Sequence, residues 1–418
     1  MKTLNNFMIV LILSISTLMM SCNNEDNIAN PPPIDGIKTN EDLTEYLETL
    51  LDSKDIPGFS VNINIGNNIA FQKSFGYANI TNQIPYTNQT INNLASTSKT
   101  FLGAATAKAI EQGLFTLETN INDLLPIDIV NPKNPNGIIK IKHLVTHTSG
   151  IIDVPQTYIS SNYFILMGQN IDTTIGNILV NDLGIQQMEQ VDLDEYLVEI
   201  FNEDGDLYNL DNYLDTEPGQ TWAYSNDATS LMGFIIEHVS GISYDEYVAN
   251  YILNPLQMNN STFNLEQVDF QNMATLYYDT NTPFPNYANH GYVEGGLYSN
   301  NNDMSKYLLE MMRGARGESA TLFSNQYYQL LFGAQLQNGI VPTDFAENHG
   351  LFWYMKDDYL MHGGNSLGIS SHIQLKKDGT AGFVIISNID GTFVGNEVKW
   401  TEIKALITTA IEEYISNN

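Results

Sequence analysis

The chain has 418 residues, of which 43% are hydrophobic, and this is enough apolar material for one large domain or for two or three of average size. Its 17 basic and 48 acidic side chains give a formal net charge of −31 at pH 7. Because a surface of this sign repels phosphate backbones, the composition excludes nucleic-acid binding as the function.

The N-terminus has the pattern of an export signal. Lys2 precedes an apolar run over residues 7–20, which is typical of a secretory signal peptide over residues 1–21. Cys22 follows and is the only cysteine, so an internal disulfide is excluded. The sequence that leads to Cys22 resembles a loose bacterial lipobox, and the resemblance implies cleavage and lipidation at Cys22, with residues 22–39 as a flexible tether.

This pattern predicts an exported protein that a lipid anchors to a bacterial membrane, on its periplasmic or cell-surface side. An ordinary cleaved signal peptide is the first alternative. A retained membrane span is the second, and the apolar run is short for one.

A helix and a hairpin come next. Apolar residues at helical spacing predict a helix over residues 40–54. Strict alternation of apolar and polar residues predicts a strand over residues 59–65. Gly66-Asn67-Asn68 is predicted to form a turn that connects it to a second strand over residues 69–75, as in a hairpin.

Ser96 and Lys99 lie at the start of a segment of helix formers and small residues, and this composition predicts a buried helix that ends near Gly113. Residues three apart share a helix face, so the spacing brings a hydroxyl nucleophile and an amine base together. Small residues dominate the helix and predict close packing on all sides. Burial lowers the pKa of a lysine from its usual value of about 10.4 and makes it a better base at neutral pH. A surface lysine on an ordinary helix is the alternative.

The middle of the chain contains a second predicted buried helix over residues 139–147 and a stretch of weak periodicity over residues 153–216. The stretch is rich in Asn, Asp and Gln, which indicates an acidic surface insertion. A calcium loop over residues 202–206 is the sharper alternative, but its acids and glycine miss the EF-hand spacing.

Regular patterns return after Pro218-Gly219. One helix is predicted by the apolar spacing over residues 231–239 and ends at Gly241, another begins near residue 244, and a third covers about residues 301–313. Four strands and a closing helix follow, over residues 351–355, 359–362, 369–376, 382–387 and 398–414.

Strands and a helix at both ends of the chain predict an α/β (α+β) fold. The two termini would build an antiparallel sheet flanked by helices, with a mostly helical lobe inserted over about residues 80–345. Residues 40–418 then form one domain, and the cleft between its lobes is the expected place for a site.

Six motifs follow one another in a fixed order. They are Ser96-Thr97-Ser98-Lys99, Leu144-Val145-Thr146-His147-Thr148-Ser149-Gly150, Pro218-Gly219 before Tyr224-Ser225-Asn226, Asn254-Pro255-Leu256-Gln257-Met258, Gly295-Gly296-Leu297-Tyr298-Ser299 and His362-Gly363-Gly364. With them the chain resembles, over about residues 40–415, the serine hydrolases of the class C β-lactamase, DD-peptidase and esterase group of penicillin-recognising proteins. The resemblance implies a β-lactamase/transpeptidase-like fold.

The resemblance also implies a role for each motif. Ser96 attacks a carbonyl carbon and forms an acyl-enzyme, which water releases, while Lys99 and Tyr224 share the proton transfers that a serine nucleophile needs. Asn226 holds Lys99 and the substrate amide. The backbone N–H groups of Ser96 and Asn365 form the oxyanion hole.

The third motif departs from the β-lactamases of this group, which carry Lys-Thr-Gly. Here His362, Gly363 and Gly364 stand in its place and are expected to bind and orient the substrate, with a histidine that is only partly charged near neutral pH. The two arginines, Arg313 and Arg316, lie together after a helix. This departure favours an esterase or D-amino-acid peptidase over an efficient β-lactamase. A strand histidine satisfied by its neighbours is the alternative for His362.

Two other patterns are not assigned to catalysis. Residues 364–368 have the Gly-x-Ser-x-Gly spelling of a nucleophile elbow, but a strand pattern follows, so Ser366 is predicted to lie in a turn. His143 and His147 are four apart without a glutamate or third ligand, so capping and packing are predicted rather than a metal site.

The sequence therefore predicts an exported serine hydrolase that cleaves a small-molecule or peptide ester or amide, without a metal or organic cofactor. The alternatives are a β-lactamase and a non-catalytic surface binding protein of the same fold. The binding protein would use the acidic insertion to contact its partner.

Overall fold

The computed structural model describes residues 36–54, 56–392 and 396–418. The predicted signal peptide and the predicted lipidation site at Cys22 lie outside these residues. Within the part of the chain that is described, no helix is long and apolar enough to cross a membrane.

The described residues form eleven α-helices and fifteen strands. The helices are α1 (Asn40–Lys54), α2 (Ser98–Glu111), α3 (Ile141–Val145), α4 (Pro155–Asn162), α5 (Thr174–Asn177), α6 (Leu193–Phe201), α7 (Asn226–Ser240), α8 (Tyr244–Val248), α9 (Asn301–Ala315), α10 (Asn325–Phe332) and α11 (Asn396–Ser416). The strands are β1 (Gly58–Ile65), β2 (Asn68–Asn79), β3 (Ile84–Pro85), β4 (Asn92–Asn93), β5 (Tyr163–Ile165), β6 (Gln186–Gln187), β7 (Tyr277–Asp279), β8 (Thr282–Pro283), β9 (Tyr287–Asn289), β10 (Tyr298–Ser299), β11 (Asn348–His349), β12 (Tyr354–Lys356), β13 (Tyr359–Ser366), β14 (Ile369–Lys376) and β15 (Ala381–Ser387).

Both ends of the chain build one antiparallel sheet of eight strands, in the order β11-β12-β13-β14-β15-β1-β2-β3. The N-terminal hairpin joins the C-terminal strands through β15, where Val61 pairs with Ile385. The predicted α+β fold with a sheet drawn from both termini is therefore confirmed.

Helices cover both faces of β1. Its apolar residues, including Val61, pack with α1 and α11 through residues such as Leu47 and Ile407. Asn62 and Asn64 point to the opposite face and are also fully buried. There Asn64 Nδ2 donates to the carbonyl of Ser305 in α9 at 3.0 Å, so this buried amide of the alternating strand has a partner.

The helix α2 runs between the sheet and the helical lobe. Every residue from Ser98 to Ala107 is buried, as the run of small residues predicts. A Cβ at Gly103 would lie only 2.2 Å from the carbonyl oxygen of Leu351, so glycine permits the close approach. This packing brings Lys99 into the interior.

Residues 153–216 are not confined to the surface, and the structure corrects this expectation for α4, β5 and α6. Tyr158 of α4 and Phe164 of β5 are buried, and Leu197 and Ile200 of α6 are part of the main core. The apolar residues of α6 recur at helical spacing and its acids lie on the exposed face, which is the pattern of an amphipathic helix that packs on a core.

The predicted helix over residues 139–147 is also shorter than expected. It is reduced to α3, because His147 adopts a left-handed backbone conformation with φ of 55°. The chain therefore turns at His147 toward the interior.

Candidate active site

Ser96 lies in a tight turn directly before α2. Ala95 has a left-handed conformation with φ of 44°, which is strained for a residue with a side chain. The turn is held because Asn93 Oδ1 accepts a hydrogen bond from the backbone N of Ala95 at 2.7 Å. Strain of this kind persists where the surrounding structure fixes the geometry, as it does around a reactive group.

The oxygen of Ser96 is within hydrogen-bond distance of both of its predicted partners. Lys99 Nζ lies 3.2 Å from Ser96 Oγ, and the hydroxyl of Tyr224 donates to the same oxygen at 2.9 Å. One helical turn sets the first contact. The second joins residues 128 apart in sequence, so the fold creates it.

Lys99 is fully buried, and oxygen atoms surround its Nζ. It donates to Asn226 Oδ1 at 2.7 Å, to the carbonyl of Glu294 at 2.7 Å and to Glu294 Oε2 at 3.2 Å. Burial lowers the pKa of Lys99, while the charge and hydrogen bond of Glu294 raise it, and burial is the larger effect. Lys99 is therefore better suited to proton transfer than a surface lysine.

Asp153 fixes the start of α7. Asn226 is the first residue of this helix, Tyr224 lies two residues before it, and both side chains reach the site. Its carboxylate accepts hydrogen bonds from Ser225 Oγ at 2.7 Å and from the backbone N of Asn226 and Asp227 at 2.7 and 3.1 Å. Negative charge is favourable at a helix N-terminus. Burial raises the pKa of Asp153, and these hydrogen bonds oppose the rise.

Tyr224 is held as a neutral phenol. Burial raises its pKa well above the usual value. Its ring lies 4.9 Å from Lys99 Nζ and has a centroid 4.5 Å from that of His147. In this state its hydroxyl is a donor to Ser96.

The strand β13 packs directly against the turn that carries Ser96. A Cβ at Gly364 would lie 2.9 Å from the backbone N of Ser96, so only glycine permits this approach. β12 pairs with β13 no further than Met361, and Gly363 and Asn365 beyond it line the cleft. The backbone N–H of Asn365 remains the predicted second oxyanion donor.

His362 does not carry the partial positive charge that the sequence suggested. Its side chain is 1% exposed and stacks on Tyr354 with centroids 4.6 Å apart. Burial, together with the charge of Lys99, lowers its pKa well below the usual value, so the ring is neutral at neutral pH. Its Nδ1 lies 2.8 Å from the carbonyl of Gly363, which makes Nδ1 the protonated nitrogen.

The cluster opens into a cleft of about 410 Å³, a size that suits a small molecule. Its lining includes Phe345, Tyr354 and Lys356 from the segment around β12, and Thr392, Trp400 and Lys404 from α11 and the segment before it.

Lys404 is the cation on the α11 side of the cleft. Its side chain is half-buried, and none of the ion pairs among the described residues includes it. Burial lowers its pKa to about 8, so most of the Lys404 population is charged at neutral pH.

The sequence prediction lacks the charged residues Asp153, Glu294 and Lys404, and also Asp344 and Lys356, which line the same cleft. Glu294 directly precedes the motif that begins at Gly295, and this adjacency is a signal that could have identified it. Asp153 is one acid among many in its segment. Lys404 reaches the cleft only because α11 folds back across the sheet.

The two unassigned patterns have structural roles. His143 Nδ1 accepts a hydrogen bond from the backbone N of Lys140 at 3.1 Å and so caps α3. Ser366 ends β13 and accepts a hydrogen bond from the hydroxyl of Tyr287 at 2.8 Å, with a strand and not a helix after the turn. Among the described residues, no group of three or more His, Cys, Asp or Glu side chains is arranged to hold a metal.

Comparison with known proteins gives one consistent picture. A family model described as Beta-lactamase matches residues 43–407. Protein flp of Staphylococcus aureus strain MW2 is 24% identical over 360 residues, which are 85% of this chain and 64% of that protein. The chain therefore spans somewhat less than two thirds of this relative.

Two solved structures share the fold at low sequence identity. EstCE1, described as a hydrolase with promiscuous acyltransferase activity, has a TM-score of 0.67 and 19% identity, with 90% of this chain and 98% of that chain covered. The D-amino acid amidase of Ochrobactrum anthropi SV3 has a TM-score of 0.67 and 18% identity, with 89% and 98% covered.

Alanine substitutions at Gly364 and Gly363 test the close approach of β13 to Ser96. Gly364→Ala is expected to lower kcat/KM about 10²-fold or more, because the added Cβ displaces β13 from Ser96 and a shift of ~1 Å at a reacting centre costs this much. Steady-state hydrolysis of an activated ester measures it, with circular dichroism to check folding.

Gly363→Ala is the control, because its Cβ would be no closer than 3.7 Å to a neighbouring atom, which is an ordinary contact. We expect a loss of a few-fold at most. Equal losses in both variants would contradict the assignment of Gly364 to the contact with Ser96.

Proposed function

The chain belongs to the Beta-lactamase family, and on that premise we propose that it is a serine hydrolase that cleaves an ester or amide bond through an acyl-enzyme on Ser96. One observation carries this proposal. Ser96 Oγ lies at a cleft and within hydrogen-bond distance of both a buried amine and a phenol, those of Lys99 and Tyr224. A serine hydroxyl becomes a nucleophile when such groups take its proton.

The proposed reaction has two stages. Ser96 Oγ attacks the carbonyl carbon, and its proton passes to the Lys99–Tyr224 pair and then to the leaving alcohol or amine as the old bond breaks. A water molecule then attacks the acyl-enzyme and gives one proton to the same pair, which passes it to Ser96 Oγ as the acyl–oxygen bond breaks, so that the acid and a free Ser96 are released. The backbone N–H groups of Ser96 and Asn365 stabilise the oxyanion in both stages.

The neutral ring of His362 supports an esterase or a D-amino-acid peptidase as the more specific activity. A permanent charge at this position would favour the carboxylate of a β-lactam, and the buried histidine does not supply one. The two structural neighbours, a hydrolase with promiscuous acyltransferase activity and a D-amino acid amidase, are compatible with this choice.

Lys404 favours a second candidate, a β-lactamase or another enzyme for anionic substrates. Its charged ammonium lines the cleft without an ion-pair partner among the described residues. A substrate carboxylate placed between Ser96 and α11 would pair with it.

We further propose that the enzyme is exported and lipid-anchored at Cys22. The signal-like residues 1–21 and the lipobox-like sequence support this location. Labelling with a radioactive fatty acid in a bacterial host, compared between wild type and Cys22→Ala, tests it.

A panel of substrates tests the activity. It contains p-nitrophenyl acetate and butyrate, D-alanyl p-nitroanilide, a D-Ala-D-Ala peptide and nitrocefin. We expect turnover of an ester or D-amino-acid amide, and a loss of at least about 10³-fold in Ser96→Ala, because the nucleophile is removed.

Ser366→Ala is the matched serine control and should change the rate by less than about tenfold, because only hydrogen bonds of this cleft residue are lost. A wild-type rate in Ser96→Ala would contradict the assignment of Ser96 as the nucleophile, whereas no turnover of any substrate would favour the non-catalytic binding protein. Nitrocefin as the best substrate would favour the β-lactamase.

Replacement of Lys404 tests whether the enzyme prefers substrates that carry a negative charge. Lys404→Met should raise the KM of mono-p-nitrophenyl succinate about fivefold at pH 7 and leave neutral p-nitrophenyl butyrate unchanged, because a partly exposed ion pair contributes about this much.

The preference for the anionic ester should also fade in the wild type as pH rises through about 8, where Lys404 loses its proton. Equal effects on both esters would show that Lys404 packs against substrates rather than pairing with their charge.

A further inference from the structure

Glu294 is in direct contact with Lys99, and the family motifs leave its side chain without a role. The residue ends a short helical turn, Tyr292–Glu294, and its side chain is 6% exposed. Its Oε2 lies 3.2 Å from Lys99 Nζ. Lys99 and Glu294 therefore form a buried ion pair next to Ser96, the proposed nucleophile.

The second carboxylate oxygen is held from the other side. Glu294 Oε1 accepts hydrogen bonds from the hydroxyl of Tyr158 at 2.6 Å and from Asn162 Nδ2 at 3.3 Å. Asn162 Oδ1 in turn accepts from the backbone N of Gly291 at 2.7 Å. These contacts fix the carboxylate so that Oε2 faces Lys99.

Counting donors shows which form of Lys99 these contacts fit. Three of its neighbours can only accept a hydrogen bond: Asn226 Oδ1, the carbonyl of Glu294 and Glu294 Oε2. An ammonium group has three N–H donors and can satisfy all of them. A neutral amine has two N–H donors and would leave one of the three acceptors without a hydrogen bond from Lys99.

From this geometry we propose that Glu294 is a positioning residue that holds Lys99 in its ammonium form and thereby sets the pH at which Ser96 becomes reactive. The inference rests on the proposed function, because it takes Lys99 to be part of the proton-transfer pair. Ser96 is activated when the Lys99–Tyr224 pair has lost one proton. Glu294 moves that loss to higher pH.

The other titratable groups around the pair do not replace Glu294. Those facing Lys99 or Glu294 from the neighbouring elements are Asp153, Asp227, Tyr158, Tyr163, Tyr196, Tyr224, His147 and His362. Burial raises the pKa values of the tyrosines and of both aspartates, and it lowers those of the histidines. Glu294 is the carboxylate in contact with Lys99.

The test is the pH dependence of Ser96 labelling. The second-order rate constant for reaction with a fluorophosphonate probe is measured from pH 5 to pH 10 in the wild type, Glu294→Gln and Glu294→Asp. We expect the rising limb of the profile to move about one to three pH units lower in Glu294→Gln, because removal of a nearby opposite charge shifts a pKa by this amount. Glu294→Asp keeps the charge and should stay close to the wild type.

Glu310→Gln is the matched control for loss of a buried carboxylate. Glu310 is 2% exposed and accepts hydrogen bonds from the hydroxyl of Tyr328 at 2.5 Å and from the backbone N of Leu322 at 2.8 Å, and none of the ion pairs between described residues includes it. Its variant should leave the rising limb in place. An unshifted limb in Glu294→Gln with a lower rate would overturn the proposal, because it would show a purely structural role.

A second readout separates this proposal from the proposed function and needs no reaction at Ser96. Lysine labelled with ¹³C at Cε is titrated by NMR in the wild type and in Glu294→Gln, and Lys99→Met assigns the signal. We expect Lys99 to lose its proton at lower pH in Glu294→Gln. Equal titration in both proteins overturns the role of Glu294, whereas failure of the probe to label any folded variant overturns the role of Ser96 alone.

Discussion

The site depends on the burial of one ammonium group. Taking the charge of Lys99 out of water costs several kcal/mol unless oxygen atoms replace the water around it. The fold supplies these oxygens from two places that are distant in sequence, Asn226 at the start of α7 and Glu294 before the Gly295-Gly296 motif. Because α2 is buried on all sides, Lys99 reaches them from the interior, and one helical turn sets its distance to Ser96.

A single segment supports both sets of oxygens. Asp153, just before α4, binds the backbone N of Asn226, and Tyr158 and Asn162 of α4 bind the carboxylate of Glu294. The first part of the acid-rich stretch, whose composition predicts a surface insertion, therefore supports the surroundings of Lys99. A buried ion pair of this kind is a weak source of stability, because the cost of taking both charges out of water offsets their attraction. Its value lies in the chemical state that it imposes on Lys99.

The sequence predicts what depends on neighbours along the chain. The spacing of Ser96 and Lys99, the strand alternation in β1 and β14, and the turn context of Tyr224 all have local patterns, and the structure contains each of them. The contacts of Glu294, Asp153 and Lys404 join segments far apart in the chain, so no periodicity indicates them. The partial charge predicted for His362 is wrong for a related reason. The residue type suggests that charge, but burial of the ring against Tyr354 makes it neutral, and burial depends on the whole fold.

Trapping of the acyl-enzyme tests the account most directly. The protein is mixed with p-nitrophenyl acetate, quenched in acid within the first turnovers and measured by intact-mass spectrometry, followed by peptide mapping. The account predicts a mass increase of one acetyl group, located on the peptide that carries Ser96 and absent from Ser96→Ala. Release of p-nitrophenol with no acetyl group on Ser96, or with the group on another residue, would contradict it.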